Sequence, residues 1–411
     1  MVAPEMVACQ LEGHGLACYD EGRKKVNMTR RERLMSTLRG KPVDRPAVSF
    51  YEIGGFTIDP TYADPYNIYN SPGWQPLLEL AEDQTDIIRM MSPVRARSID
   101  PTGSAAGASW HEFFREETED DGETRRTRTQ LTVAGRTMTQ TTRRERQTNT
   151  VWTVEHLLKG ADDVEAYLAI PDDVFAERID IGPLEAEERA LGDRGIVMVD
   201  TEDPLCAAAS LLSMEDYTVL AFTEPALFHR LLEKMAHRIH DRTAEVSRRF
   251  PGRLWRIYGP EYASEPFLPP AMFREYVVRY VEPMVRAVHA GGGYARIHCH
   301  GRLKNILDMI AGMGADGLDP IEPPPQGDME LCDVRHRHGR QLVLFGNLEI
   351  ADIESLPTPQ FTEKVKRAID EGTAGTGRGF VLMPSASPYG REVSALTMRN
   401  YETIIRLVGA L

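Results

Sequence analysis

Beyond residue 162 the chain repeats one pattern: a short apolar run followed by a helical stretch. Apolar runs fall at Ile196–Asp200, Trp255–Tyr258, Tyr294–Ile297, Gly317–Leu318, Leu342–Phe345 and Phe380–Met383. Helical periodicity separates them, most clearly at Pro225–Phe250, Met272–Ala290, Leu303–Ala311, Met329–His338 and Thr362–Asp370, and a last helix is expected at Ser394–Val408. Successive strand-then-helix units build a parallel sheet through right-handed crossovers. Two earlier apolar runs, Ala47–Glu52 and Ile87–Met91, bring the count to eight. No GxGxxG or GxxxxGK[ST] follows a first strand, so the marker of a dinucleotide fold or P-loop is missing. The expected fold is therefore α/β, a (β/α)8 TIM barrel.

The barrel accounts for residues 28–411 as one domain, preceded by a leader or arm at 1–27 that shows no periodicity. Thr29-Arg-Arg-Glu32 has the spacing of a capping box and opens the first helix, which Gly40 and the prolines at 42 and 46 close. From about 110 to 152, threonines alternate with charged residues around Gly135. That pattern predicts an inserted antiparallel excursion of two or three strands with a solvated face, and it places the arginines from Arg125 to Arg146 on that surface.

The net charge of −14 comes from 62 acidic against 48 basic residues. It argues against nucleic acid or an anionic membrane as the general partner. No run of about 18 apolar residues is present, and the first 27 residues lack the basic-then-apolar order of a signal peptide. A cytoplasmic protein is expected. Five scattered cysteines without a CxxC pair suggest reduced thiols, with neither a disulfide framework nor a four-cysteine zinc cluster.

In a (β/α)8 barrel, chemistry gathers where the strands end. Polar residues sit at that place throughout: Glu52, Glu202, Asp203, Glu261, His298, His300, Asp319, Glu322, Asn347, Ser385 and Ser387. Tyr294-Ala-Arg-Ile-His298-Cys299-His300-Gly301 stands out among them. Strand residues two apart point the same way, so both imidazoles project together and Cys299 faces the barrel wall. Two imidazoles are good zinc ligands but fall short of the three or four a site needs. Glu261, at the end of the preceding strand, is the partner expected to complete an open, catalytic set. Alternatively, hydrogen bonds to neighbours would account for all three side chains. His336 and His338, in a charged helical run, read as a solvated face.

These residues resemble the uroporphyrinogen decarboxylase superfamily, in its methyltransferase-like branch. The likeness runs from about Met28 to Leu411. It rests on MTRRERLMSTLRGKPVDRPAV, GPEYASEPFLPPAMFREYVVRYVEPMV, ARIHCHGRLKNILDMIAGMGADGLDPIEPP, LVLFGNLE and GFVLMPSASPYG. The resemblance implies a (β/α)8 barrel. Decarboxylase members carry an RQAGR-type segment after the first strand, where this chain reads YEIGGFTIDP without an arginine. Methyltransferase members hold zinc with an HxC pair on the histidine strand and a cysteine after the last strand. His298 matches the histidine, His300 replaces the first cysteine, and the distal position falls near Ala386.

The resemblance thus implies a zinc-dependent methyltransferase, a demethylase of a small methylated substrate, with a corrinoid protein or tetrahydrofolate as acceptor. Its metal would be held by Glu261, His298 and His300, with Tyr262, Asn347 and Glu322 placed to orient substrate. If the metal is lost, the histidines would do acid–base work. A homodimer is compatible with this reading. The alternatives are a decarboxylase-like lyase on the same barrel and a non-catalytic corrinoid- or metal-binding accessory protein.

Overall fold

The computed structural model describes residues 27–54, 64–95 and 110–411. The expected leader, apart from its last residue, lies outside this range.

Eight strands form one parallel sheet: β1 (Ala47–Val48), β2 (Ile87–Met91), β3 (Gly195–Glu202), β4 (Leu254–Tyr258), β5 (Tyr294–His298), β6 (Gly317–Asp319), β7 (Val343–Leu348) and β8 (Phe380–Pro384). From β2 to β8 each strand pairs with the next in chain order, and β8 returns to pair with β1. β1 and β2 meet through the amide of Asp86, which donates to the Val48 carbonyl at 2.7 Å. The Asp86 carboxylate strengthens this seam by accepting the Val48 amide at 2.9 Å and ion-pairing with Arg33 at 2.5 Å and Arg45 at 2.9 Å. The barrel expected from the sequence is the one observed.

The strands are apolar on both faces, as a parallel sheet covered by helices requires. Alternate residues divide between two cores. Ile88, Met90, Ile196, Met198, Leu254, Val343, Phe345, Val381 and Met383 pack together inside the barrel. Val197, Val199, Trp255, Ile257, Ala295, Ile297, Leu318, Leu344 and Leu382 pack outward under the helices. On β5 this alternation sends Ile297 and Cys299 to the helix layer, leaving Arg296 and His298 on the inner face.

Two expectations need correction. The first strand stops at Val48, and Tyr51–Gly54 forms a helical turn. That turn lets Tyr51 enter the barrel core instead of continuing a strand edge. The insertion has four strands: Phe114–Asp120, Thr124–Val133, Arg136–Glu145 and Val151–Glu155. The extra strands come from Glu-rich and Trp-containing flanks whose alternation is weaker than that of the Thr/Arg centre. The two-residue Ala134–Gly135 loop has positive φ at both positions (49° and 76°), which suits a tight hairpin. Across the sheet, Glu117 faces Arg128 and Glu119 faces Arg126, so the arginines form a compensated surface.

The capping box is present: the Glu32 amide donates to the Thr29 hydroxyl at 3.1 Å, and the Thr29 amide donates to the Glu32 carboxylate at 2.8 Å. No helix among the described residues is long and apolar enough to cross a membrane.

Candidate active site

β5 delivers the centre of the site. His298, its last residue, is 3% exposed, whereas the His300 side chain, just past the strand, is 37% exposed. Their rings lie 4.6 Å apart, centroid to centroid, at 87°. The imidazoles therefore project together as expected, and Cys299 is buried on the opposite side.

Each imidazole has its own carboxylate. His298 Nδ1 lies 2.7 Å from Asp319 Oδ2, at the end of β6, and the register pairs these two residues directly. His300 Nδ1 lies 2.8 Å from Glu322 Oε1, while Glu322 Oε2 accepts the Gly301 amide at 2.7 Å. Because an ionised carboxylate only accepts, each ring carries its proton on Nδ1 and leaves Nε2 as the second nitrogen.

The two pairs differ in electrostatics. Burial holds His298 below the ordinary imidazole value, against the pull of Asp319. Burial alone would raise Asp319, but the Arg296 guanidinium, His298 and Arg256 together outweigh it and keep the carboxyl well below the usual range. For His300, burial is outweighed by the hydrogen bond to Glu322 together with the charges of Glu322, Glu261 and Asp319, and its pKa rises. Glu322 moves the other way, its desolvation overcome by the bond and charge of His300 together with the Gly301 amide and the charge of His298. The surroundings thus favour the neutral form of the buried ring and the charged form of the half-exposed one. Imidazoles whose surroundings drive them apart suit an acid and an acceptor in one site.

Glu261 lies in the turn Pro260–Ala263 after β4, the strand that pairs with β5. Its Oε2 accepts the Gly259 amide at 3.1 Å, and its charge contributes to the raised pKa of His300. Nearby Asp203 is fully enclosed; burial drives its carboxyl well up, with Glu261 and Glu202 reinforcing the shift. Tyr262 packs edge-on against Tyr217 at 6.2 Å, and burial pushes its phenol up to about 12. Asn347 is buried on β7 and borders a recess with Pro323, Leu348 and Glu349. Among the described residues, no hydrogen bond joins Tyr262 or Asn347 to the two histidines. His336 is exposed, in line with the solvated-face reading, whereas His338 is half-buried and bonds Asp308 at 2.8 Å.

Zinc would need a third protein ligand beside the two Nε2 atoms. Among the described residues, no three His, Cys, Asp or Glu side chains converge on a metal position. Glu261 is engaged with its own turn, and Ala386 offers no donor. The arrangement does not fit a preassembled three-ligand zinc site.

Three participants were not singled out from the sequence: Asp319 as partner of His298, and Arg296 and Tyr51 beneath it. Arg296 precedes His298 by two residues, so the same period that aligns the histidines would have placed it on their face. Glu322 was expected to orient substrate and instead orients His300. A cavity of about 520 Å³ opens between the inserted sheet and the ends of β3 and β4, with Trp110, Phe114, Phe175, Glu202 and Tyr258 in its lining. Tyr258 is the register neighbour of His298.

The model of the uroporphyrinogen decarboxylase (URO-D) family matches residues 155–389, more than half of the chain and all of β3 to β8. The chain belongs to the uroporphyrinogen decarboxylase family. Among solved structures, a methyltransferase from Methanosarcina mazei is similar over 93% of this chain and 99% of its own, with a TM-score of 0.57 and 15% identity. That likeness establishes the fold. A D-psicose 3-epimerase from Clostridium cellulolyticum H10 aligns over 61% of this chain and 90% of its own at 13% identity, and its TM-score of 0.32 is too low to bear on the site. A search of curated proteins gives no match.

Proposed function

We propose that this barrel transfers a methyl group from a small methylated donor to a carrier, with His300 assisting the departure of the atom that held the methyl. The observation that carries the reading is the pair of adjacent imidazoles, each held by its own carboxylate, at the strand-end mouth of a uroporphyrinogen decarboxylase family barrel. The Methanosarcina mazei protein that shares this architecture is named a methyltransferase, which supports the choice of reaction. The arginine-free segment YEIGGFTIDP weighs against decarboxylation of a polycarboxylate.

The donor is R–X–CH3, with X an oxygen, nitrogen or sulfur. The acceptor's nucleophile attacks the methyl carbon in line. The C–X bond breaks with its electron pair going to X, and the proton on His300 passes to X. Glu322 steadies the protonated His300 before transfer. His298 offers its unprotonated nitrogen to a donor group on the substrate, which orients the C–X bond. The acceptor we favour is a corrinoid protein or tetrahydrofolate, and the neighbouring cavity has room for the donor.

A second reading keeps zinc at this place. Both Nδ1 atoms bond carboxylates, as they do in metal-bound imidazoles, and Glu261 would have to leave the Gly259 amide to complete the set. Metal analysis separates the two.

The proposal is tested by offering a panel of methylated aromatics and amines with cob(I)alamin or tetrahydrofolate and following the methyl group by mass. Transfer that falls in His300→Gln supports it. A wild-type protein that methylates neither acceptor, or that releases CO2 from a carboxylated panel member, overturns it.

A further inference from the structure

We infer that Arg296 is a positioning residue for this mouth: it fixes the Asp319 carboxylate, and through it the ring of His298, in the one orientation that leaves Nε2 open. The inference deepens the proposed site but does not depend on which group that site transfers.

Arg296 is completely enclosed and so acts through its neighbours. Its Nε lies 3.0 Å from Asp319 Oδ1. None of its three guanidinium nitrogens makes a hydrogen bond of good geometry. The contact is therefore an ion pair rather than a directional bond. Direction comes from the rings around it. The guanidinium carbon sits 4.4 Å from the centroid of Tyr51 and 4.8 Å from that of Phe345, so two aromatic rings cradle the cation.

The space for this arrangement is written into the register. Arg296 pairs with Gly317 on β6, whose missing side chain leaves the position open. A Cβ at Gly317 would fall 2.8 Å from the Phe345 ring, the same ring that borders the guanidinium. Two residues along, the same pairing sets His298 beside Asp319. Tyr51 closes the arrangement from the other side by donating its hydroxyl to Asp319 Oδ2 at 3.2 Å.

Asp319 is thus held at both oxygens. Oδ1 faces Arg296, and Oδ2 receives Tyr51 and His298. A carboxylate so enclosed needs a full counter-charge. With Arg296 in place, His298 need only donate its Nδ1 hydrogen. Without it, nothing fixes Oδ1, the carboxylate is free to turn, and the Nδ1 hydrogen of His298 loses its set acceptor.

The test reads the His298 ring directly. Full-length protein labelled with 15N-histidine is dialysed against chelator, and the ring nitrogens of His298 are assigned by comparison with His298→Gln. Wild type and Arg296→Lys are expected to show one neutral ring protonated at Nδ1, because lysine restores the charge. Arg296→Met is expected to lose that pattern. A folded Arg296→Met that keeps the wild-type nitrogen shifts overturns the inference, as does an Arg296→Lys that loses them. If Arg296→Met does not fold, Gly317→Ala takes its place, since it drives Phe345 toward the guanidinium. An unchanged ring there overturns the inference too. Methyl transfer is not measured, so an error in the proposed reaction leaves this result standing.

Discussion

Asp319 Oδ2 receives His298 Nδ1 at 2.7 Å, while the other oxygen of the same carboxylate faces Arg296 at 3.0 Å, so one side chain joins the mouth of the barrel to its interior. Asp319→Asn keeps the shape and removes the charge. It leaves Arg296 without its counter-ion, and breaking a buried pair in this way costs about 3–5 kcal/mol. Denaturant unfolding at neutral pH is expected to show a loss of that size. Where the variant still folds, turnover should drop by about 10- to 100-fold, as when the partner that orients a site histidine is lost.

His300 as proton donor makes a directional claim about pH. Its pKa lies above the ordinary imidazole value because the Glu322 bond and the surrounding carboxylate charges together outweigh burial. Activity is then retained below that raised pKa and lost as pH rises through it. Glu322→Gln removes the largest raising contact, so the alkaline limb of kcat should move to lower pH. His300→Gln should reduce kcat by about 100-fold or more. An alkaline limb that stays in place in Glu322→Gln would show that another group is the acid.

The same pair leaves a mark on stability. Glu322 has a depressed pKa, so its contribution is present above the unfolded carboxyl value of about 4.3 and fades as pH falls through the folded value. His300 has a raised pKa, so its contribution is complete below about 6.5 and fades as pH rises through the folded value. Both partners are charged between those limits. The difference in unfolding free energy between wild type and His300→Gln is expected to peak between about pH 4.3 and 6.5, measured by chemical denaturation across a pH series.

Metal content divides the two readings of the imidazoles. Two oriented nitrogens without an assembled third ligand are expected to retain less than about 0.2 zinc per chain after dialysis. Elemental analysis of wild type beside His298→Ala/His300→Ala checks this. One zinc per chain that disappears in the double variant would establish the zinc reading.

The seam of the barrel is exposed to a single substitution. Asp86 bonds Arg33, Arg45 and the Val48 amide where the first and second strands meet. Asp86→Ala takes from the half-buried Arg45 its carboxylate, leaves Arg33 paired with Asp44 alone, and leaves the Val48 amide without its side-chain acceptor. A loss of about 1–3 kcal/mol is expected, with the folded variant losing hydrogen-exchange protection first at Val48 and Ile87.

The barrel was legible because it repeats. Each of six units announces itself by an apolar run and a helical period, and the His298–Cys299–His300 alternation follows from strand geometry alone. Asp319 and Glu322 were also recognised as strand-end polar groups. Their assignment to separate histidines was not legible, because it depends on how Tyr294–His298 pairs with Gly317–Asp319, and sequence periodicity contains no register between strands. The inward turn of Tyr51 escaped notice for a related reason. An apolar run of six residues looks like one strand, and only the packing of the barrel shows that it stops after two. Four strands at 114–155 were read as two or three because charged edges mask their alternation.

Gly317 has no side chain to offer any chemistry, yet it decides which chemistry the barrel mouth presents. Its empty position is where Arg296 and Phe345 meet, and that meeting locks two strands in step. One residue out of step, the partner of Asp319 would be a thiol or an isoleucine rather than an imidazole. The reactive character of this protein is thus chosen two residues below the Asp319–His298 pair, and variation confined to the loops could change what the barrel accepts without changing which groups act on it.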